Sequence, residues 1–332
     1  MKIIRAKNAG FCFGVNKAVY TAFNFNLNDL KGNLYTVGEL IHNRQVIESL
    51  ENRGIKVLSS FDELKKDDYV IIRAHGIGKK VYDELTKRKV QILDATCPYV
   101  KRIHHIVKKK YEEGYTIIIV GDSKHPEVIG INGWCEDSAL IISDEKDVDK
   151  LEKSEKKAIV VAQTTFKGAK YDMICELLKK KFANVIKFDT ICSATVQRQT
   201  EANELSRKVD AMIVIGGRNS SNTQKLYQIC KENCSNTYLI ENKDELPPLD
   251  KNLKTIGITA GASTPETVIK EVIFHMQDMI NGHENEIDFK EALEETLTEL
   301  KTNEIVKGKI IGYNVNDVFV DLGYKADGII PM

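Results

Sequence analysis

The sequence lacks any apolar stretch long enough to cross a bilayer, and its first residues do not form a leader peptide. A membrane-spanning helix needs about 20 consecutive apolar residues, and no run in the chain approaches that length. The N-terminal residues Met1 to Lys7 have neither the apolar stretch nor the small-residue cleavage site of a secretory signal. We therefore expect a cytoplasmic protein with no membrane partner.

The sequence also lacks an excess of charge of either sign. The 332 residues contain 48 Lys and Arg against 48 Asp and Glu, so the formal net charge is zero. No global basic field therefore indicates nucleic-acid binding, and any such contact has to come from a local patch. Apolar residues make up 42% and charged residues 29%, as in ordinary globular proteins. The length predicts two or more globular units.

Common nucleotide-binding loops and a disulfide framework are missing as well. Neither Walker-type spacing nor Gly-x-Gly-x-x-Gly occurs, which disfavours mononucleotide and dinucleotide binding. The seven cysteines are an odd number spread over a long chain, which argues against paired disulfides. Metal binding, catalysis and simple burial remain as interpretations of the cysteines.

Three of the cysteines, Cys12, Cys97 and Cys192, recur at almost equal intervals. The segments 93–97 and 188–192 are similar, and each follows a short apolar run that predicts a buried strand. Helical patterns lie between such strands, at Val100 to Glu113, Tyr171 to Phe182, Thr195 to Lys208 and Pro265 to Asn281. Alternating strands and helices indicate parallel βαβ units. We predict an α/β fold with three similar βα lobes in a pseudo-threefold arrangement around a central cavity.

The predicted domains follow from these repeats and from a change of composition near residue 281. The chain after that point is strongly acidic and helical in pattern, and then alternates like β-strands. The predicted units are a core of residues 1–281, with lobes at about 13–96, 97–191 and 192–281 after a lead of 1–12, then a linker helix at 282–302 and an incomplete β unit at 303–332.

A single cysteine is most often a buried small hydrophobic residue. We interpret four in this way: Cys135, Cys175, Cys230 and Cys234. Cys12, Cys97 and Cys192 differ because each stands at a strand-to-helix junction of its own lobe. Three converging thiolates suit an iron–sulfur cluster, and a missing fourth ligand leaves one iron open for catalysis. Spacing alone leaves the cluster and three structural cysteines as equal alternatives.

Polar residues follow the predicted strands, where parallel sheets bind their ligands. His42, His75 and His125 occupy such loops. One histidine there indicates little, but three in equivalent loops favour a shared polar cavity. Glu127 follows closely and is either a proton donor or a carboxylate favoured by a helix N-terminus.

The third lobe has hydroxyl and amide residues in the corresponding loops, namely Ser220, Ser221, Asn222 and Ser263. Each of them can be an ordinary helix N-cap. The neighbouring glycines allow a close approach of backbone to a ligand, and helix N-termini attract phosphate. Together with the histidines, these residues predict a site for a phosphate-bearing anion.

Nine blocks of the sequence resemble one family, 4-hydroxy-3-methylbut-2-enyl diphosphate reductase. The blocks run in unbroken order from the N-terminus to about residue 281. They are 9–15, 38–43, 73–76, 94–98, 125–127, 162–165, 189–192, 217–223 and 259–265. One departure is Phe166-Lys167 after the Gln-Thr-Thr motif, where the family more usually has leucine or serine.

The resemblance implies the last enzyme of the non-mevalonate isoprenoid pathway. This activity converts (E)-4-hydroxy-3-methylbut-2-enyl diphosphate, an allylic diphosphate, to isopentenyl and dimethylallyl diphosphate with two electrons and two protons. It further implies one 4Fe-4S cluster with three cysteine ligands, Cys12, Cys97 and Cys192, and one open iron. A ferredoxin or flavodoxin would supply the electrons.

The resemblance also implies roles for individual residues. The catalytic residues would be Glu127, Thr164 and His125, with Glu127 as the proton donor. The substrate-binding residues would be His42, His75, His125, Thr164, Ser220, Ser221, Asn222 and Ser263.

Residues 303–332 resemble the opening of a ribosomal S-one-type RNA-binding motif, an oligonucleotide-binding (OB) barrel. Segments 306–308, 318–323 and 328–331 carry this likeness. It implies RNA as a partner of the full-length C-terminal domain. Two other functions stay open: an iron–sulfur hydro-lyase, which needs no reductant, and an RNA-binding scaffold protein, which needs none of the three cysteines.

Overall fold

The computed structural model describes residues 1–27, 30–250, 252–281, 309–313, 317–321 and 328–331. The chain divides into two compact units. Unit 1 consists of residues 1–24, 42–46 and 201–332, and unit 2 consists of residues 25–41 and 47–200. Within the described ranges, no helix combines the length and the apolar character that a membrane span requires.

The strands are short and mostly apolar. In chain order they are β1 (Lys2–Arg5), β2 (Leu34–Val37), β3 (Lys56–Val57), β4 (Tyr69–Ile72), β5 (Gln91–Asp94), β6 (Thr116–Val120), β7 (Leu140–Ile142), β8 (Ser154–Ala162), β9 (Phe182–Lys187), β10 (Ala211–Ile215), β11 (Thr237–Ile240), β12 (Thr255–Ala260), β13 (Lys309–Tyr313), β14 (Asp317–Asp321) and β15 (Gly328–Pro331).

Helices separate most of these strands. They are α1 (Phe13–Phe23), α2 (Arg44–Asn52), α3 (Lys79–Lys87), α4 (Pro98–Glu112), α5 (Pro126–Asn132), α6 (Glu145–Asp149), α7 (Gly168–Leu178), α8 (Ser193–Ser206), α9 (Ser221–Asn233) and α10 (Glu266–Asn281).

Unit 2 contains two parallel four-stranded sheets. Their strand orders are β3-β2-β4-β5 and β7-β6-β8-β9. The inner strands contain unbroken apolar runs, Ile117 to Val120 in β6 and Ala158 to Ala162 in β8, because helices cover both faces of a parallel sheet. These side chains are fully or almost fully buried. Each sheet has polar loops at the carboxyl ends of its strands.

Unit 1 contains the third parallel sheet, in the order β1-β12-β10-β11. Ala211 to Ile215 and the facing residues of β12 form its apolar centre, against which α10 packs. The lead of residues 1–12 contributes more than a path to the first cysteine, because β1 is an edge strand of this sheet and pairs with β12. The three sheets confirm the prediction of an α/β fold with three βα lobes.

One predicted helix extends too far. The pattern from Tyr171 to Phe182 is one element in the prediction, but α7 ends at Leu178. A turn follows, in which the backbone N–H of Lys181 donates to the carbonyl of Leu178. Phe182 then begins β9, which pairs with β8. Burial of Phe182 against the sheet overrides its apparent place in the helical period.

The predicted linker helix at 282–302 lies outside the described residues. Beyond it, β13, β14 and β15 form an antiparallel sheet in which β14 is central. Three antiparallel strands occur in many β folds. They do not identify an RNA-binding motif, and the β unit at 303–332 stays a prediction.

Replacement of Tyr171 by phenylalanine is expected to destabilise unit 2. Tyr171 is 1% exposed, and its hydroxyl lies 2.9 Å from the carbonyl oxygen of Val160 and 2.8 Å from that of Phe188. Loss of this buried donor should cost about 1–2 kcal/mol. Thermal and urea unfolding would measure it, with the exposed Tyr238→Phe as control; equal midpoints for the two variants would contradict the expectation.

Candidate functional site

The three periodic cysteines each stand at the start of a helix. Cys12 is the N-cap of α1, Cys97 is the N-cap of α4, and Cys192 directly precedes α8. All three are half-buried and form no disulfide. The N-terminus of a helix carries positive partial charge and favours an anionic ligand atom. These positions therefore suit metal-binding thiolates.

Backbone hydrogen bonds fix the three positions. In unit 1, the N–H of Cys12 donates to the carbonyl of Ala262 at 3.1 Å. In unit 2, the N–H of Cys97 donates to Ala74 and the N–H of Cys192 donates to Thr164, both at 3.0 Å. Ala74 precedes a predicted substrate-binding histidine, and Thr164 is itself a predicted site residue. Each cysteine of unit 2 is thus tied to a loop with another predicted site residue.

The other four cysteines are buried, as the sequence predicts for small hydrophobic residues. Burial raises the pKa of the Cys135 and Cys175 thiols to about 11 and that of the Cys230 thiol to about 12. Thiolates are the metal-binding form of cysteine. These three buried thiols are therefore poor metal ligands, whereas the half-buried set fits an iron–sulfur centre.

Glu127 and Thr164 form a buried pair in unit 2. They are 2% and 7% exposed. One carboxyl oxygen of Glu127 accepts from the backbone N–H of Thr164 at 2.6 Å, and the other accepts from the Thr164 hydroxyl at 2.7 Å. The carboxyl group is therefore held in one orientation, with the Thr164 hydroxyl close enough for proton transfer between the two groups.

His125 prepares this arrangement from the start of α5. As the N-cap residue, it accepts a hydrogen bond through Nδ1 from the backbone N–H of Glu127 at 3.1 Å. A neutral imidazole that accepts at Nδ1 carries its proton on Nε2. His125 can therefore donate from Nε2 to an anionic ligand. Proline at the first helical position supports the same helix start.

His75 lies beside His125. Their ring centroids are 5.5 Å apart and the rings meet edge to face, with an interplanar angle of 80°. His75 follows β4, and its turn is tied to Cys97 through the carbonyl of Ala74. Unit 2 thus connects two of the three cysteines to both histidines and to the buried Glu127–Thr164 pair.

In unit 1, the start of α9 collects the predicted hydroxyl and amide residues. Ser220 is the N-cap, and its hydroxyl accepts from the N–H of Thr223 at 3.4 Å. Asn222 is 4% exposed, yet neither atom of its side-chain amide has a hydrogen-bond partner among the residues that the structure describes. Buried amides are rarely left in this state, and each such group asks for an explanation. A bound ligand is the explanation that fits a helix N-terminus.

His42 and Ser263 adjoin this helix start. The hydroxyl of Ser263 donates to the carbonyl of His42 at 3.2 Å. A Cβ on Gly217 would lie only 2.9 Å from the same carbonyl oxygen, so the backbone after β10 has to remain without a side chain there. Unit 1 thus brings together His42, Ser263 and the α9 start.

Sequence reasoning without the resemblance does not find Thr164, because an isolated threonine carries no signal of its own. It also gives no role to His104, which lies in a helical pattern. His104 is 7% exposed, and burial lowers its pKa to about 4. The pairing of Glu127 with the hydroxyl of Thr164 becomes visible only once the strands β6 and β8 are side by side.

Three comparisons with known proteins indicate the same family. Residues 3–277 match the family model described as LytB protein. A 4-hydroxy-3-methylbut-2-enyl diphosphate reductase of Caldanaerobacter subterraneus subsp. tengcongensis is 49% identical over 290 residues, which cover 86% of this chain and all of the relative. The reductase of Clostridium tetani is 43% identical over 334 residues, 99% of this chain but 51% of the relative.

A solved structure of (E)-4-hydroxy-3-methyl-but-2-enyl diphosphate reductase, described as the terminal enzyme of the non-mevalonate pathway, also matches. The identity is 40%, and the match covers 84% of this chain and all of the solved chain, with a TM-score of 0.63.

The two classes of cysteine should differ in reactivity. In metal-free native protein, iodoacetamide should modify Cys12, Cys97 and Cys192 and spare the other four, because thiolate character and access control alkylation. Peptide mass spectrometry before and after unfolding would locate the label. Rapid native labelling of Cys230 would contradict the expected protection, and unfolded protein with seven labels is the positive control.

Proposed function

Because the chain belongs to the LytB family, we propose that it reduces (E)-4-hydroxy-3-methylbut-2-enyl diphosphate to isopentenyl and dimethylallyl diphosphate. The reaction consumes two electrons and two protons, breaks the carbon–oxygen bond and releases the hydroxyl group as water. The observation that carries this proposal is the buried Glu127–Thr164 pair, which is bonded to the loop of Cys192 and adjoins His125. A dehydroxylation needs such a proton source in a site that excludes water.

The family implies an iron–sulfur cofactor, and we propose a single 4Fe-4S cluster held by Cys12, Cys97 and Cys192. Their half-burial, their places at helix starts and the contrast with the four buried cysteines support this ligand set. With three protein ligands, one iron stays open. When bound, such a cluster supplies the electrons and a Lewis-acidic position for the substrate hydroxyl.

Glu127 supplies the proton that converts the departing hydroxyl into water. In its protonated form the carboxyl group can pass the proton directly, or through the Thr164 hydroxyl, whose oxygen lies 2.7 Å from one carboxyl oxygen. The Thr164 N–H holds the second carboxyl oxygen and prevents rotation of the group. General acid catalysis by a positioned side chain typically contributes about 10²- to 10⁴-fold to a rate.

The diphosphate is bound by imidazoles, hydroxyls and an amide. In unit 2 these are His75 and His125, and in unit 1 they are His42, Ser220, Ser221, Asn222 and Ser263. The unpartnered amide of buried Asn222 and the N-terminus of α9 support an anion site. Membership in the family is the reason for assigning both sets to one substrate.

A ferredoxin or flavodoxin is the expected electron donor. RNA is a partner only if residues 303–332 open an OB-fold domain, and strands β13 to β15 are too few to support that identification. The cytoplasm is the expected location.

The reaction predicts a specific defect for Glu127→Gln. Wild-type protein with a reconstituted cluster should form both products only when dithionite is present, whereas a hydro-lyase would act without it. The glutamine variant should keep the visible absorption of the cluster and bind the substrate, but lose roughly 10²-fold or more of the turnover. Product analysis by chromatography measures this. Near-normal turnover of the variant would remove Glu127 from its role.

Asn222 offers a test of the anion site. Asn222→Ala should bind inorganic diphosphate about tenfold more weakly, since one lost hydrogen bond to a charged group corresponds to ~1.5 kcal/mol or more. Asn222→Asp should bind still more weakly because it adds a negative charge. The exposed Asn236→Ala is the matched control. Calorimetric titration gives the affinities, and wild-type binding by both Asn222 variants would refute the assignment.

A further inference from the structure

Two segments of unit 2 that carry site residues lie against each other. The first, which we call the His75 turn, comprises residues 73–78 and follows β4. The second, the His125 segment, comprises residues 125–135 and contains α5 and a 3₁₀ turn at Gly133–Cys135. The two segments belong to different sheets and are far apart in sequence, so only non-covalent contacts set the distance between His75 and His125.

One of these contacts is between two glycines. A Cβ on Gly133 would lie 2.6 Å from the Cα of Gly78, and a Cβ on Gly78 would lie 3.1 Å from the Cα of Gly133. Carbon atoms at optimal contact are about 3.5–4.0 Å apart. The two backbones therefore approach more closely than a pair with side chains at these positions can.

A second glycine on the same segment behaves differently. A Cβ on Gly130 would lie 3.5 Å from the carbonyl carbon of Gly76, which is an ordinary van der Waals distance. An alanine therefore fits at Gly130 but not at Gly133. Gly133 itself has φ −62° and ψ −16°, so an alanine there meets no backbone strain, only the opposing segment.

Trp134 stabilises the contact between the His125 segment and the His75 turn. Its Nε1–H donates to the carbonyl of Ile77 at 2.9 Å, which bonds the His125 segment to the His75 turn. Its ring stacks on His104, with centroids 5.4 Å apart and an interplanar angle of 26°. His104 in turn closes over Gly76, where an added Cβ would lie 2.5 Å from Cε1 of the imidazole. The low pKa of His104, about 4, keeps this ring neutral near pH 7.

From these contacts we infer that Gly78, Gly133 and Trp134 are positioning residues that set the spacing of the His75 and His125 rings. The inference rests on the proposed function, because it takes diphosphate as the ligand of the two imidazoles. The rings are 5.5 Å apart, and a ligand held by both responds to any change in that distance. A misplacement of about 1 Å in a site can cost ~10²-fold in catalysis.

The glycine pair provides a matched experiment on cluster-loaded protein. Gly133→Ala should push the two segments apart and lower the affinity for inorganic diphosphate about tenfold in calorimetric titration. It should also raise the KM of the substrate more than it lowers kcat. A tenfold change corresponds to about 1.4 kcal/mol. Gly130→Ala, on the same segment, should match wild type. Both variants should keep the visible cluster spectrum, since the backbone N–H groups of Cys97 and Cys192 donate to Ala74 and Thr164 and to neither glycine.

Trp134→Phe keeps an aromatic ring against His104 but removes the N–H donor. It therefore tests the positioning of the two histidines without introducing a steric clash. It should weaken diphosphate binding by roughly threefold to tenfold, as expected for one hydrogen bond, and it decides the matter if Gly133→Ala fails to fold. Wild-type affinity in Gly133→Ala, or in a folded Trp134→Phe when the alanine variant does not fold, would overturn the inference.

These readouts separate the inference from the proposed reaction. If wild-type protein binds diphosphate but forms no product with dithionite, the proposed reaction fails, while the affinities of Gly133→Ala and Gly130→Ala still judge the positioning role. If wild-type protein turns over normally and the two alanine variants have equal affinities, the reaction stands and the positioning role falls.

Discussion

Glu127 is a buried carboxyl group, and its burial constrains how β6, β8 and α5 are arranged in unit 2. Burial of such a group is costly unless its oxygens accept hydrogen bonds. Thr164 meets both oxygens, one with its N–H and one with its hydroxyl. This arrangement requires the chain after β8 to lie beside the start of α5, which follows β6. The parallel pairing of β6 with β8 places these two segments side by side, so this sheet positions the carboxyl group that we propose as the proton donor.

The central parts of the strands are uniformly apolar for a separate reason, which is burial on both faces of the parallel sheet. Ile117 to Val120 and the facing residues of β8 are buried on both sides, which leaves no polar group to specify a function within the sheet. All chemistry is displaced to the loops at the carboxyl ends, where helix starts offer N–H groups and positive partial charge. Cys97, Cys192 and His125 all occupy such starts. The fold thereby separates the residues that stabilise it from those that react.

Much of this organisation can be predicted from the sequence, because buried parallel strands leave long apolar runs and the cysteines recur with the lobes. Short strands such as β3, Lys56–Val57, are too brief to give a pattern. The early end of α7 is missed because the place of Phe182 depends on the sheet, not on local period. Thr164 is found only through the family resemblance. The contact of Gly78 with Gly133 cannot be seen at all, since it depends on two segments that meet only in the folded chain.

Asn222 illustrates how a binding site differs from the core around it. A buried amide without partners destabilises the free protein by about 1–3 kcal/mol, and no residue that the structure describes forms a hydrogen bond with the Asn222 side chain. Such a cost is recovered only when a ligand supplies the missing acceptor or donor. Replacement of Asn222 by alanine should therefore leave the thermal stability of the ligand-free protein unchanged or higher, while it lowers the affinity for the anion. A substitution that lowers affinity without lowering stability identifies a residue whose role is binding. Tyr171 is the opposite case, because removal of its hydroxyl group should lower the stability of the fold.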